Sequence, residues 1–96
     1  MVALAAQRMT IAQSDRAPSL FAVRTSADPQ VMLRVAGLFA QRDLVPEQIC
    51  CRRAGEYLLI DIEIVLENDQ TAQILLQKIR SLVHVERASL VGAIGF

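Results

Sequence analysis

A chain of 96 residues has room for one domain, and a domain of this size buries only about two-thirds of the surface its unfolded form exposes. Ten basic and ten acidic side chains cancel, and nine of the ten bases are Arg, adjacent only at Arg52 and Arg53, so the basic cluster that phosphate-backbone binding requires is missing. No apolar run approaches the ~18 residues of a membrane span, since Asp61 and Glu63 interrupt the longest.

Hydrophobic residues make up 53% of the chain, more than a core this small can hide, and the surplus points to surface left for a partner or a second copy. The cysteines, Cys50 and Cys51, are neighbours in sequence. On a strand their side chains face opposite ways and cannot bridge each other, so two free thiols suit a reducing compartment. Met1 to Ala17 lacks a charged start and carries Arg8 where a leader's apolar stretch would run. The expected location is the cytoplasm.

Residues 1–18 mix residue types without period and end at Pro18; they are expected to form a loosely ordered arm. In Ser19 to Ser26, Phe21, Val23 and Thr25 alternate with Leu20, Ala22 and Arg24, the pattern of a half-buried strand. Asp28 then suits a helix N-cap and Pro29 the first helical position. Met32, Val35, Ala36 and Phe39 recur at helical spacing to about Arg42, with Asp43 as the stop. Leu33 and Leu38 fall off that stripe.

Val45 to Arg53 reads as a second strand, and Pro46, which has no N–H to give a ladder, assigns it to a sheet edge. Ala54, Gly55 and Glu56 form the turn into Tyr57 to Leu66, where Leu58, Ile60, Ile62, Ile64 and Leu66 share one face. Asn68 or Asp69 caps a second helix with Ala72, Leu75, Ile79 and Leu82 inward and Ile74 and Leu76 outside the stripe. Val83 to Val91 is the last strand and 92–96 an apolar tail.

Two β-α-β units with both helices on one side of an antiparallel sheet make a ferredoxin-like βαββαβ sandwich of the α+β class, its second and fourth strands at the edges. The opposite face would carry Leu20, Ala22, Arg24, Cys50, Tyr57, Leu59, Asp61, Glu63 and Val65, with Arg24 pairing with Asp61 or Glu63 across strands.

Chemistry-bearing patterns are few. His84, the single histidine, has no companions at metal-ligand spacing and reads as a surface residue; no catalytic or metal residue is assigned. Cys50 lacks an identifiable base. Four glycines supply neither a Walker loop nor a dinucleotide fingerprint, so no cofactor is expected. Tyr57 alone on the open face offers no stacking platform for RNA bases, and neither nucleic acid nor membrane is an expected partner.

The stretch Asp28-Pro29-Gln30-Val31-Met32-Leu33-Arg34-Val35-Ala36-Gly37-Leu38-Phe39 resembles the first helix of an ACT domain, and more narrowly that of the small regulatory subunit of acetolactate synthase. Thr71 to Val85, ending Ile79-Arg80-Ser81-Leu82-Val83-His84-Val85, is similar to that family's second helix and its entry to the last strand. The match spans about Ser19 to Val91. The resemblance implies an ACT domain over 19–91 in a non-catalytic subunit of branched-chain amino acid biosynthesis. Such a subunit pairs as a homodimer through edge strands and activates a thiamine-diphosphate-dependent catalytic subunit.

It also implies an effector site between the first loop of one protomer and the second strand of the other. By position that site comprises Ala27, Asp28, Pro29, Gln30, Val31, Met32, Val45 and Pro46. The family's Asn before the acidic residue is here Ala27, its Gly after proline is Gln30, and its Asn-Ile pair is Val45-Pro46. Asn offers amide contacts and Gly admits close backbone approach to a carboxylate. Their loss leads us to expect weak or absent valine feedback, as in a short, single-ACT subunit. A stand-alone ACT domain sensing a small amino acid is the alternative.

Overall fold

The computed structural model describes residues 17–91. The expected tail and all of the expected arm but Ala17 and Pro18 lie outside the described residues. The elements run β1 (Ser19–Ser26), α1 (Val31–Ala40), β2 (Gln48–Ala54), β3 (Tyr57–Ile64), α2 (Asp69–Arg80) and β4 (Val85–Val91). The sheet has four antiparallel strands in the order β2-β3-β1-β4, which is the ferredoxin-like arrangement with β2 and β4 at its edges.

Alternation along β1 and β3 decides what is buried. Phe21, Val23 and Thr25 from β1 and Ile60, Ile62 and Ile64 from β3 face the helices and are buried, joined by Ala88 of β4. Phe39 of α1 meets Phe21 edge to face, with ring centroids 5.5 Å apart and planes at 82°, a geometry that adds about 0.5–1.5 kcal/mol to the burial itself.

The inward stripe of α1 is Val31, Val35 and Phe39, not the expected set that began at Met32, which is 39% exposed. α1 is apolar nearly all round (VMLRVAGLFA), so periodicity alone could not choose its face. It also starts later than expected. Asp28 does not cap the helix: its Oδ1 accepts from the Gln30 amide at 2.8 Å, closing a turn that holds Pro29 outside the helix. The helix ends at Ala40 rather than Arg42, and Asp43 takes a left-handed φ of 58° as the chain turns away.

Of the two expected caps of α2, Asn68 serves: its Oδ1 accepts from the amide and hydroxyl of Thr71 at 2.8 and 3.0 Å. Ala72, Leu75 and Ile79 are buried, but so is Leu76, while Leu82 is half-buried beyond the helix end. Leu38 and Ile74 are half-buried too, Leu38 against the core. Of the four apolar residues expected outside the stripes, only Leu33, at 69% exposure, stands clear.

β2 starts at Gln48, so Val45 and Pro46 precede the strand instead of opening it. β3 ends at Ile64 rather than Leu66, and β4 begins at Val85 rather than Val83. Gly55 takes φ +63° in the turn joining β2 to β3, a conformation glycine adopts without penalty. All seven residues of β2 are exposed: the helical layer leaves this edge uncovered.

Candidate functional site

The loop between β1 and α1 is held by its own backbone, by the turn between β2 and β3, and by the turn before β4. The Ala27 amide donates to the Glu56 carbonyl at 3.0 Å, Asp28 to Ser26 at 2.8 Å, and Val31 to Asp28 at 3.3 Å. From the other side His84 closes on it. Its carbonyl accepts from the Ser26 amide at 2.9 Å, and its Nδ1 is hydrogen-bonded to Ser26 Oγ at 3.0 Å. Its Nε2 lies 3.5 Å from Asp28 Oδ2.

His84 holds φ at 80°, a backbone state that costs a non-glycine residue ~1–3 kcal/mol. The contacts to Ser26 and Asp28 offset that strain. His84 is therefore on the surface, as expected, but has a bracing role that its place in the chain does not reveal. Asp28 is used from both oxygens, one orienting the loop and the other facing the imidazole.

The eight residues of the expected site fall into two groups. Ala27, Pro29 and Gln30 are exposed, Asp28 is half-buried, Met32 is partly exposed, and Val31 is fully buried in the core, leaving only its backbone to the surface. Gln30 Oε1 accepts from Arg34 Nη2 at 3.2 Å, which turns its side chain along α1. Val45 is 84% exposed and Pro46 half-buried.

Strand register places these groups at opposite ends of the sheet. Ser26, Tyr57 and Ala54 are aligned at one end, Leu20, Glu63 and Gln48 at the other. The separation along β2 is ~20 Å at ~3.3 Å per residue. One chain does not bring Ala27–Met32 to Val45 and Pro46.

The sheet's other face carries the expected residues of β1, β2 and β3 together with Gln48, Arg52 and Ala54 of β2 and Arg87, Ser89 and Val91 of β4. Arg24 does not pair with Asp61 or Glu63. A bulge in β4 opposite Arg24 and Thr25 inserts Glu86, whose Oε1 lies 3.3 Å from Arg24 Nη2. The same guanidinium stacks on Tyr57, its carbon 4.4 Å from the ring centroid.

A shallow groove of about 540 Å³ runs beside β4, lined by Arg80, Val85, Glu86, Arg87, Ala88 and Ser89, with Arg80 Nε donating to the Ala88 carbonyl at 3.0 Å. Among the described residues no three His, Cys, Asp or Glu side chains are grouped to hold a metal, and no helix is long and apolar enough to cross a membrane. Cys50 and Cys51 are free thiols on exposed positions.

Structures of other proteins share this architecture. The ACT domain of GTP pyrophosphokinase from Chlorobium tepidum superposes with a TM-score of 0.71 at 12% identity, over 79% of this chain and 99% of that one. The C-terminal domain of the MgtC protein from Mycobacterium tuberculosis gives 0.69 at 10% identity, over 83% and 90%. The regulatory subunit of aspartate kinase from Thermus flavus gives 0.63 at 15%, covering 79% of this chain and 52% of that subunit. Compared with proteins of curated function, the sequence finds no match. The family model for the ACT-like domain matches residues 12–93, nearly the whole length. With the βαββαβ order and the edge positions of β2 and β4, this settles the family: the chain belongs to the ACT-like domains.

Proposed function

We propose that this ACT-like chain is a regulatory subunit of a thiamine-diphosphate-dependent acetolactate synthase, binding and activating the catalytic subunit in the cytoplasm with little or no valine feedback. ACT domains are small-ligand regulatory domains that commonly dimerise and bind amino acid effectors. The choice of enzyme rests on the resemblance of Asp28 to Phe39, above all Arg34-Val35-Ala36-Gly37-Leu38-Phe39. The uncovered edge of β2 supports a homodimer joined by strand pairing, and the two exposed thiols suit a reducing compartment.

One hydrogen bond supports the loss of feedback. In a loop that receives an amino acid, backbone N–H groups meet the ligand's carboxylate; here the Gln30 amide already donates to Asp28 Oδ1 at 2.8 Å. A valine carboxylate would have to displace a carboxylate that is part of the chain.

Mixing the protein with the catalytic subunit from the same host tests the assignment. Co-elution and a rise in acetolactate formation that valine does not reverse are the expected results. Separate elution with unchanged activity overturns it.

The stand-alone amino acid sensor is the second reading, and the turn of Gln30 toward Arg34 favours it by leaving the loop clear of side-chain bulk. A thermal-shift screen of the amino acids separates the two: stabilisation by one of them selects the sensor.

A further inference from the structure

The open face of the sheet sorts its charges by row. Register aligns Arg52, Leu59, Arg24 and Arg87 in one line across all four strands. The next line is Cys50, Asp61, Ala22 and Ser89, and the one beyond it Gln48, Glu63, Leu20 and Val91. Three arginines thus share one row, and carboxylates occupy the next two rows on one side of it, both on β3.

Within the chain this pattern is poorly compensated. Arg24 sits directly opposite Arg87, and like charges so placed oppose strand pairing. Glu86 and Tyr57 engage Arg24 alone, whereas neither Arg52 nor Arg87 has an ion pair among the described residues.

We propose that this face associates with the same face of a second copy, about a two-fold axis that crosses the strands between the arginine row and the Asp61 row. That operation exchanges the two rows. Because β3 lies between β2 and β1, Asp61 of each copy then falls between Arg52 and Arg24 of the other, about 4.8 Å to the side of each and across the ~10 Å that separates packed sheets. Leu59, Ala22 and Leu20 fill the space between the charges. A polyanion or an acidic peptide fits worse, since Asp61 and Glu63 on the same face repel it.

The footprint sets the strength. Strands of seven or eight residues spaced ~4.8 Å apart give a face of roughly 450 Å², so two copies bury well under the ~1,600 Å² of a standard stable interface. The association is weak and electrostatic, and it is independent of pairing through β2, whose backbone hydrogen bonds are insensitive to salt.

Sedimentation of the whole chain at about 50 mM and about 500 mM salt tests this, because screening shortens charge interactions to a few Å at the higher value. The weight-average mass should double from high salt to low at high protein concentration. Asp61→Arg and Arg52→Glu each abolish the doubling, and mixing the two variants restores association, with circular dichroism confirming that both fold. A mass that ignores salt, or an Asp61→Arg variant that still doubles, overturns the proposal. Failure here leaves a salt-independent edge dimer intact, whereas failure of edge pairing leaves a salt-dependent one.

Discussion

The imidazole of His84 and the carboxylate of Asp28 face each other at 3.5 Å, fixing the turn before β4 to the loop before α1. Both groups are part-exposed, so the contact itself adds little to global stability. Its effect should be local. Asp28→Ala is expected to speed hydrogen exchange of the Gln30, Val31 and Met32 amides severalfold while changing global stability little. His84→Gly relieves the strained φ of 80° and His84→Ala does not, so the glycine variant should unfold at the higher urea concentration. Equal exchange rates, or the reverse order of the two variants, would show that the brace has no such role.

Asn68 caps α2 through two hydrogen bonds. Asn68→Ala should therefore lower stability by about 1 kcal/mol, read as a shift in the urea midpoint at constant slope.

Gly37 lies inside α1, and a methyl group added there meets nothing within 4 Å. Gly37→Ala is expected to stabilise the free chain by ~0.5–1 kcal/mol, visible as a higher Tm. A lower Tm would mean that the helix packs more tightly at this point than the structure has it.

Phe39 is buried against Phe21 at the centre of the helix–sheet contact. Phe39→Ala should cost about 3–5 kcal/mol, a large part of the stability of a domain this small. The measurement is equilibrium unfolding, with a substantially unfolded population at 37 °C as the expected outcome.

Strand β1 could be read from the sequence to the residue because Phe21, Val23 and Thr25 alternate cleanly with more polar neighbours, whereas for α2 the start was narrowed to a cap at Asn68 or Asp69 and the stripe missed Leu76. The start of α1 could not. Asp-Pro suits a cap and a first helical residue equally well as it suits a turn, and the choice depends on which amide Asp28 accepts from. The face of α1 was hidden for another reason: Met32 and Val31 are equally apolar, and only the sheet beneath decides between them.

The partner of Arg24 was out of reach as well. Strand alternation put Asp61 and Glu63 on its face correctly, but the bulge that presents Glu86 has no sequence signature here. Ala27 to Met32 were singled out by resemblance alone, while the bracing of their loop by His84, distant in sequence and backbone-strained, was visible only in three dimensions.

Because the loop at Ala27 and the segment at Val45 occupy opposite ends of one sheet, a small molecule touching both must bridge two chains. Such a compound would act as a chemical dimeriser: its apparent affinity would rise with protein concentration, and saturating it would draw separate chains together by mass action.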